Sequence, residues 1–159
     1  MFKKIIWATD GSASAERALP YAKELARADG ASLLILHAVE TYAGSRAAGL
    51  PLYVEEEELQ KRTEEQVESL RGEGIDAELQ MVTGLGVRAA HAIADAASDA
   101  GADVIVMGTR GHTPLGGLLL GSVTQRLLHI APCPVMAVPA ASAGTRSGDE
   151  RSATAGQSA

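Results

Sequence analysis

The run Val104-Ile105-Val106-Met107 is apolar at every position, and no other feature narrows the possible folds as far. Successive side chains of a strand point to opposite faces, so a strand with no polar face has to be covered on both sides. Asp103 to Met107 is therefore predicted to lie in the middle of a sheet. Ile5 to Thr9 has the same character, and Ser32 to Val39 departs from it, after its first residue, only at His37. Asp76 to Val82 alternates instead, with Ala77, Leu79 and Met81 against Asp76, Glu78 and Gln80. Such a strand is half exposed and belongs at an edge. Val135 to Val138 is enclosed by Pro134 and Pro139; proline cannot donate to a ladder, which places this strand at the other edge.

Helical periodicity fills the intervals. Ser12 or Ser14 is positioned to cap a helix with the apolar face Ala15, Ala18, Leu19, Ala22, Leu25 and Ala26, ended by Gly30. Pro20 removes the hydrogen bond to the Glu16 carbonyl inside that helix, which predicts a bend rather than a break. Glu55 to Arg71 carries the narrow stripe Leu59, Val67 and Leu70, and its run Glu55 to Glu58 suits a helix N-terminus facing water. Val87 to Ala100 turns Ala90, Ile93, Ala94 and Ala97 inward, and a last helix follows Val123, Leu127 and Ile130. Glu40 to Leu52 has no periodicity and contains Gly44, Gly49 and Pro51, a connection long enough to serve as a flap near a ligand. From Ala140 the chain is Ala, Ser, Gly and scattered charge, a composition expected to stay disordered.

Strands alternating with helices imply an open, doubly wound α/β fold: a five-stranded parallel sheet with helices on both faces and right-handed crossovers. With the third and fifth strands at the edges, the simplest order is 3-2-1-4-5. The winding then reverses between the first and fourth strands, and ligands bind at the carboxyl ends there. Those ends are Thr9-Asp10 and Met107-Gly108.

At that place the chain reads Gly108-Thr109-Arg110-Gly111, then nine residues from His112 to Leu120, then Gly121-Ser122-Val123. A strand, a glycine-rich loop and a helix start present backbone N–H groups and a positive helix end to an anion. Gly108 and Gly111 are expected to let the main chain approach a ligand, with positive φ open to both. Gly121 repeats this at the second contact, where the Ser122 hydroxyl caps the helix or donates to a phosphate oxygen. Arg110 and His112 are the cationic candidates. No lysine follows Lys61, so the loop lacks the lysine of a Walker A sequence. Phosphate binding would rest on amides, Ser122, Thr109 or Thr113, and a metal.

The spacing G-x-x-G-x9-G-[ST] resembles the nucleotide loop of the universal stress protein family, specifically its ATP-binding branch, matched by Gly108, Gly111, Gly121 and Ser122. Lys4 to Ser12, Leu36-His37-Ala38-Val39 and Pro132-Cys133-Pro134-Val135 extend the likeness. It spans nearly the whole of one domain over residues 1 to 139, followed by a tail over 140 to 159. The resemblance implies an adenine pocket lined by backbone at Ala8 and Ala38, with Thr9 and Val39 beside it and Met107 near the base or ribose. It favours contact of Asp10 with the nucleotide. A carboxylate at the end of the first strand accepts from ribose hydroxyls or helps hold Mg²⁺, although position alone equally allows an Asx turn or helix cap.

The rest of the chain bounds the reading. The sequence has 159 residues, 46% hydrophobic and 21% charged, which suits one globular domain. Aromatics are 3%, so the core must be aliphatic and alanine-rich. A net charge of −6 argues against nonspecific nucleic-acid binding. The single cysteine, Cys133, excludes an internal disulfide, fits a reducing compartment, and is expected to act as a small buried hydrophobe. No apolar stretch approaches the ~18 to 20 residues that span a bilayer. The N-terminal apolar run stops at Asp10, short of a signal peptide, so a cytoplasmic location is expected, with no membrane partner. His37, His91, His112 and His129 lack ligand spacing for zinc. Gly84-Leu85-Gly86-Val87-Arg88-Ala89 spells a dinucleotide-like string outside the first strand-to-helix turn, where that fingerprint belongs.

The expected function is that of a regulator binding ATP, with Mg²⁺, and not a fast enzyme, since the loop offers no evident general base. The resemblance implies roles in stress survival and, in some members, weak ATPase or autophosphorylation. A hydrolase or phosphotransferase with Ser122 or Thr124 as acceptor, and a dimeric interaction module without ligand, are the alternatives. The apolar edge Val135 to Val138 also predicts a homodimer, as the resemblance does.

Overall fold

A computed structural model describes residues 1–39, 52–83, 87–111 and 120–140 of the chain. The expected flap, His112, Thr113, most of the tail and the Gly84–Gly86 string lie outside them. Five strands, β1 (Lys4–Thr9), β2 (Ser32–Val39), β3 (Ala77–Thr83), β4 (Val104–Gly108) and β5 (Val135–Val138), form one parallel sheet in the order β3-β2-β1-β4-β5. This is the order read from the sequence, with both edges where they were placed.

The helices are α1 (Ala13–Glu16), α2 (Leu19–Asp29), α3 (Leu52–Gly72), α4 (Val87–Ala100) and α5 (Ser122–Ile130). Alternation along the central strands divides the core. Ile5, Trp7, Leu33, Ile35, Val104 and Val106 face Ala22 and Ala26 of α2 and Val67 and Leu70 of α3. Ile6, Ala8, Leu34, Leu36, Ile105 and Met107 face Ala90, Ile93 and Ala97 of α4 and Leu127 of α5. Burying each large aliphatic side chain stabilises the fold by about 1.5–3 kcal/mol, and alanine on the helices lets them lie close to the sheet. Among the described residues no helix is long and apolar enough to cross a membrane.

One local expectation is corrected. The segment from Ser12 to Gly30 is two helices, not one bent helix. Ser12 caps α1, its Oγ accepting from the Ala15 amide at 3.2 Å. The Ala15 carbonyl is then taken by the buried Trp7 indole at 3.0 Å and by the Ala18 amide at 3.0 Å, an i to i+3 bond that closes the turn. A new helix starts at Leu19 with Pro20 in its first turn, where a missing N–H costs nothing. The proline thus begins a helix instead of bending one.

Candidate functional site

The carboxyl ends of β1 and β4 meet at the reversal of winding. Ala8 pairs in register with Met107, and both side chains are buried in the core shared with α4 and α5. The chain leaves β1 through a tight turn. Thr9 is buried, and its Oγ1 accepts from the Gly11 amide at 3.0 Å. Asp10 Oδ1 accepts from the Ser12 amide at 3.0 Å, an Asx turn that fixes the carboxylate. Gly11 has φ 76°, a conformation that favours glycine, and the Leu59 side chain of α3 sits where its Cβ would be, 2.2 Å away.

The loop after β4 is stapled at its base. The Thr109 amide donates to the Val138 carbonyl at 2.9 Å, and the Thr109 carbonyl accepts from the Gly121 amide at 2.7 Å. Thr109 Oγ1 accepts from the Ala140 amide at 3.2 Å, and Thr124 Oγ1 donates to the Gly108 carbonyl at 3.1 Å. The Gly121 bond brings the two glycine bends together across the intervening segment. It sets the first turn of α5 beside Gly111.

Each loop glycine has different surroundings, and only the expectation of positive φ is corrected. None of Gly108, Gly111 and Gly121 has positive φ. A Cβ on Gly108 would stand 2.5 Å from the Ser14 carbonyl oxygen and 2.6 Å from Ser14 Oγ, so this glycine admits α1 against β4. A Cβ on Gly111 would stand 2.5 Å from Asp10 Oδ2; this glycine makes room for the carboxylate. A Cβ on Gly121 would make only ordinary contacts of 3.5 to 3.8 Å with Thr109, Arg110 and Gly111.

The amides divide in the same way. Those of Thr109 and Gly121 are spent on carbonyls, and that of Arg110 donates to Ser14 Oγ at 3.2 Å. Gly111, Ser122 and Val123 have backbone amides without a partner among the described residues, the last two in the first turn of a helix, where no intrahelical acceptor exists. Gly121 is the N-cap of α5 and makes no side-chain capping bond. Ser122 is therefore the first helical residue, exposed, and does not cap. Arg110 is exposed.

The structure thus gathers Thr9, Asp10, Gly108, Arg110, Gly111, Gly121, Ser122 and Val123 around one end of β1 and β4. Ala38 and Val39 stand at the same end of the sheet, on β2 beside β1, in register with Val82 and Thr83. Residues the sequence reading passed over are Ser14, considered only as a cap, and Leu59, assigned only to a core stripe. No spacing rule joins Leu59 to Gly11, since a nonperiodic connection separates them.

Among the described residues, Asp10 is the one carboxylate placed at the loop. Among the described residues no group of three or more His, Cys, Asp or Glu could hold a metal by itself. An open groove of about 690 Å³ lies elsewhere, between α3 and β3, lined by Lys61, Glu64, Glu68, Arg71 and Leu79 among others. Its Arg71 and Glu68 pair with each other at 2.7 Å.

A doubly wound parallel sheet with a stapled glycine loop and a helix N-terminus at its switch point defines a class of small α/β proteins. Within that class, the chain belongs to the universal stress protein family, whose model matches residues 1–139. A universal stress protein of Thermus aquaticus, encoded in the QAH/OAS sulfhydrylase 3' region, is 43% identical over 146 residues, covering 87% of this chain and 99% of that one. Universal stress protein MJ0577 of Methanocaldococcus jannaschii is 32% identical over 154 residues, covering 87% and 95%. The solved structure of MJ0577 superposes with a TM-score of 0.74 at 28% identity, covering 89% of this chain and 99% of that one. A universal stress protein solved in complex with cAMP has a TM-score of 0.58 at 26% identity, covering 86% and 97%.

Proposed function

We propose that this protein is a nucleotide-dependent regulator that binds ATP at the β1–β4 switch point, its phosphates received by the amides of Gly111, Ser122 and Val123. The observation that carries the reading is the Thr109–Gly121 hydrogen bond of 2.7 Å, which sets the Gly111 amide beside the start of α5. Two such donors at a helix N-terminus and one on the facing bend form a concave anion site. The Ser122 hydroxyl adds a donor, Arg110 supplies positive charge from the loop, and His112 is a further candidate there. The adenine ring lies against backbone at Ala8 and Ala38, beside Thr9, Val39 and Met107. The cAMP complex of a related family member supports an adenine nucleotide as the ligand class.

Asp10 places negative charge next to this anion site. Asp10 would hold Mg²⁺ there, which would offset the repulsion and supply Lewis-acid chemistry. The Asx turn holds the carboxylate in one orientation, so it needs no reorganisation on binding.

Binding is favoured over turnover. Thr124, one candidate phosphoacceptor, is buried and its hydroxyl is committed to the Gly108 carbonyl. The protein acts in the cytoplasm as a homodimer through the outer edge of β5, where Met136 is exposed and the backbone ladder ends at the edge. Mass analysis of the small molecule released on denaturing freshly purified protein tests the reading, together with the Tm shift in millimolar Mg-ATP. A preparation free of nucleotide and unmoved by Mg-ATP contradicts it. Sustained phosphate release above ~1 s⁻¹ would make the protein an enzyme.

A further inference from the structure

His37 is a fully buried imidazole on β2, in register with Thr9 of β1 and one residue before Ala38. Its Nδ1 lies 3.4 Å from Oγ1 of Thr63, which is itself buried. Thr63 has one hydroxyl proton and donates it to the Leu59 carbonyl at 2.8 Å, four residues back along α3. Toward His37 the hydroxyl is then left as an acceptor, which a hydrogen on the imidazole Nδ1 would satisfy. From the same turn of α3, the Leu59 side chain occupies the space over Gly11. Gln66 Nε2, further along the helix, donates to Glu16 Oε2 at 2.7 Å and ties it to the end of α1.

A pair of apolar side chains would fill the His37–Thr63 site as economically, because exchanging both partners of a buried hydrogen bond for apolar groups is nearly neutral for stability. What the polar pair adds is direction: it admits one height of α3 against β2. That height decides how Leu59 meets Gly11, and Gly11 adjoins Asp10.

We infer that His37 and Thr63 form a buried positioning pair that seats α3 on the Asp10–Gly11 turn and thereby sets nucleotide affinity. The inference rests on the nucleotide reading above and adds to it residues that touch no ligand themselves.

The test is calorimetric titration with Mg-ATP of Thr63→Val, Thr63→Ser and Leu59→Ala, with Tm measured on the ligand-free proteins. Thr63→Val is expected to weaken binding about fivefold or more, the change that loss of a hydrogen bond of ~1 kcal/mol produces. Thr63→Ser, which keeps the hydroxyl, restores wild-type affinity. Thr63→Val combined with Leu59→Ala binds no more weakly than the poorer single variant, since both act through the seat of α3. The contrast is repeated at the other partner: His37→Asn keeps an N–H donor near the Nδ1 position and retains affinity, whereas His37→Leu loses it. Lowered Tm with unchanged Kd in Thr63→Val and His37→Leu overturns the proposal. A wild-type protein that binds no Mg-ATP overturns the nucleotide reading and the affinity statement with it. The ¹⁵N shifts of His37 then judge the pair alone: a hydrogen on Nδ1 supports it, and one on Nε2 overturns it.

Discussion

Asp10 and Gly111 share one small volume: a Cβ on Gly111 would stand 2.5 Å from Asp10 Oδ2, while Oδ1 is held by the Ser12 amide at 3.0 Å. The glycine of the first bend and the carboxylate of the β1 turn are thus fitted to each other. Gly111→Ala is expected to push the carboxylate out of its Asx turn, destabilising the fold by about 1 kcal/mol and weakening Mg-ATP binding. In an Asp10→Ala background the obstruction is gone, and the same substitution costs little. Denaturant unfolding of the four proteins measures the coupling. Equal costs in both backgrounds would refute the fit.

Gly108 offers the contrast. Its absent Cβ faces the Ser14 carbonyl oxygen at 2.5 Å and carbonyl carbon at 2.6 Å, which are backbone and cannot swing aside. Gly108→Ala is expected to cost about 1–3 kcal/mol, the range for overpacking. Ser14→Gly, which removes only the side chain, does not relieve it. Thermal unfolding checks this, and a rescue by Ser14→Gly would show the clash to be with the hydroxyl alone.

Gly121 tolerates more. Its backbone, at φ −69° and ψ 158°, suits any residue, and among the described residues a Cβ meets nothing closer than 3.5 Å. Gly121→Val is expected to leave stability within about 1 kcal/mol of wild type, the scale of an N-cap change. Its branched side chain covers the approach to the Gly111 amide, so the Tm shift in Mg-ATP is abolished. A Gly121→Val protein that retains nucleotide would count against the phosphate assignment.

Acid stability reports on Asp103. Its Oδ2 accepts from the Lys3 amide at 2.6 Å and the Lys4 amide at 2.9 Å. These bonds, chiefly that from Lys4, hold its carboxyl below the usual aspartate value of 3.8. A depressed folded-state pKa stabilises the fold fully above the unfolded value and loses that contribution as pH falls through the folded one. Asp103→Asn is expected to lower Tm at neutral pH, with the gap to wild type closing only as the pH drops below 3.8. A gap independent of pH would assign the effect to geometry and not to charge.

Much of this architecture was legible in the sequence because the two-sided burial of β1, β2 and β4 leaves few places for such strands, and proline marks β5 as an edge. The loop was legible as a pattern, yet the reasons for its glycines were not. Spacing alone did not show that Gly108 answers to Ser14 or Gly111 to Asp10, since those partners come from the β1–α1 segment nearly a hundred positions away. Pro20 misled for a local reason: the competing demand of Trp7 on the Ala15 carbonyl is a tertiary contact. Ser122 lost its capping role because Gly121 already holds the cap position.

In the proposed complex three main-chain amides, and not their already bonded neighbours, receive the phosphates. An NMR titration of ¹⁵N-labelled protein with Mg-ATP reads each amide separately. Large downfield shifts are expected at Gly111, Ser122 and Val123, with much smaller changes at Thr109 and Gly121, whose N–H groups are bound to carbonyls in the structure. Shifts that leave those three amides in place while others move would contradict it.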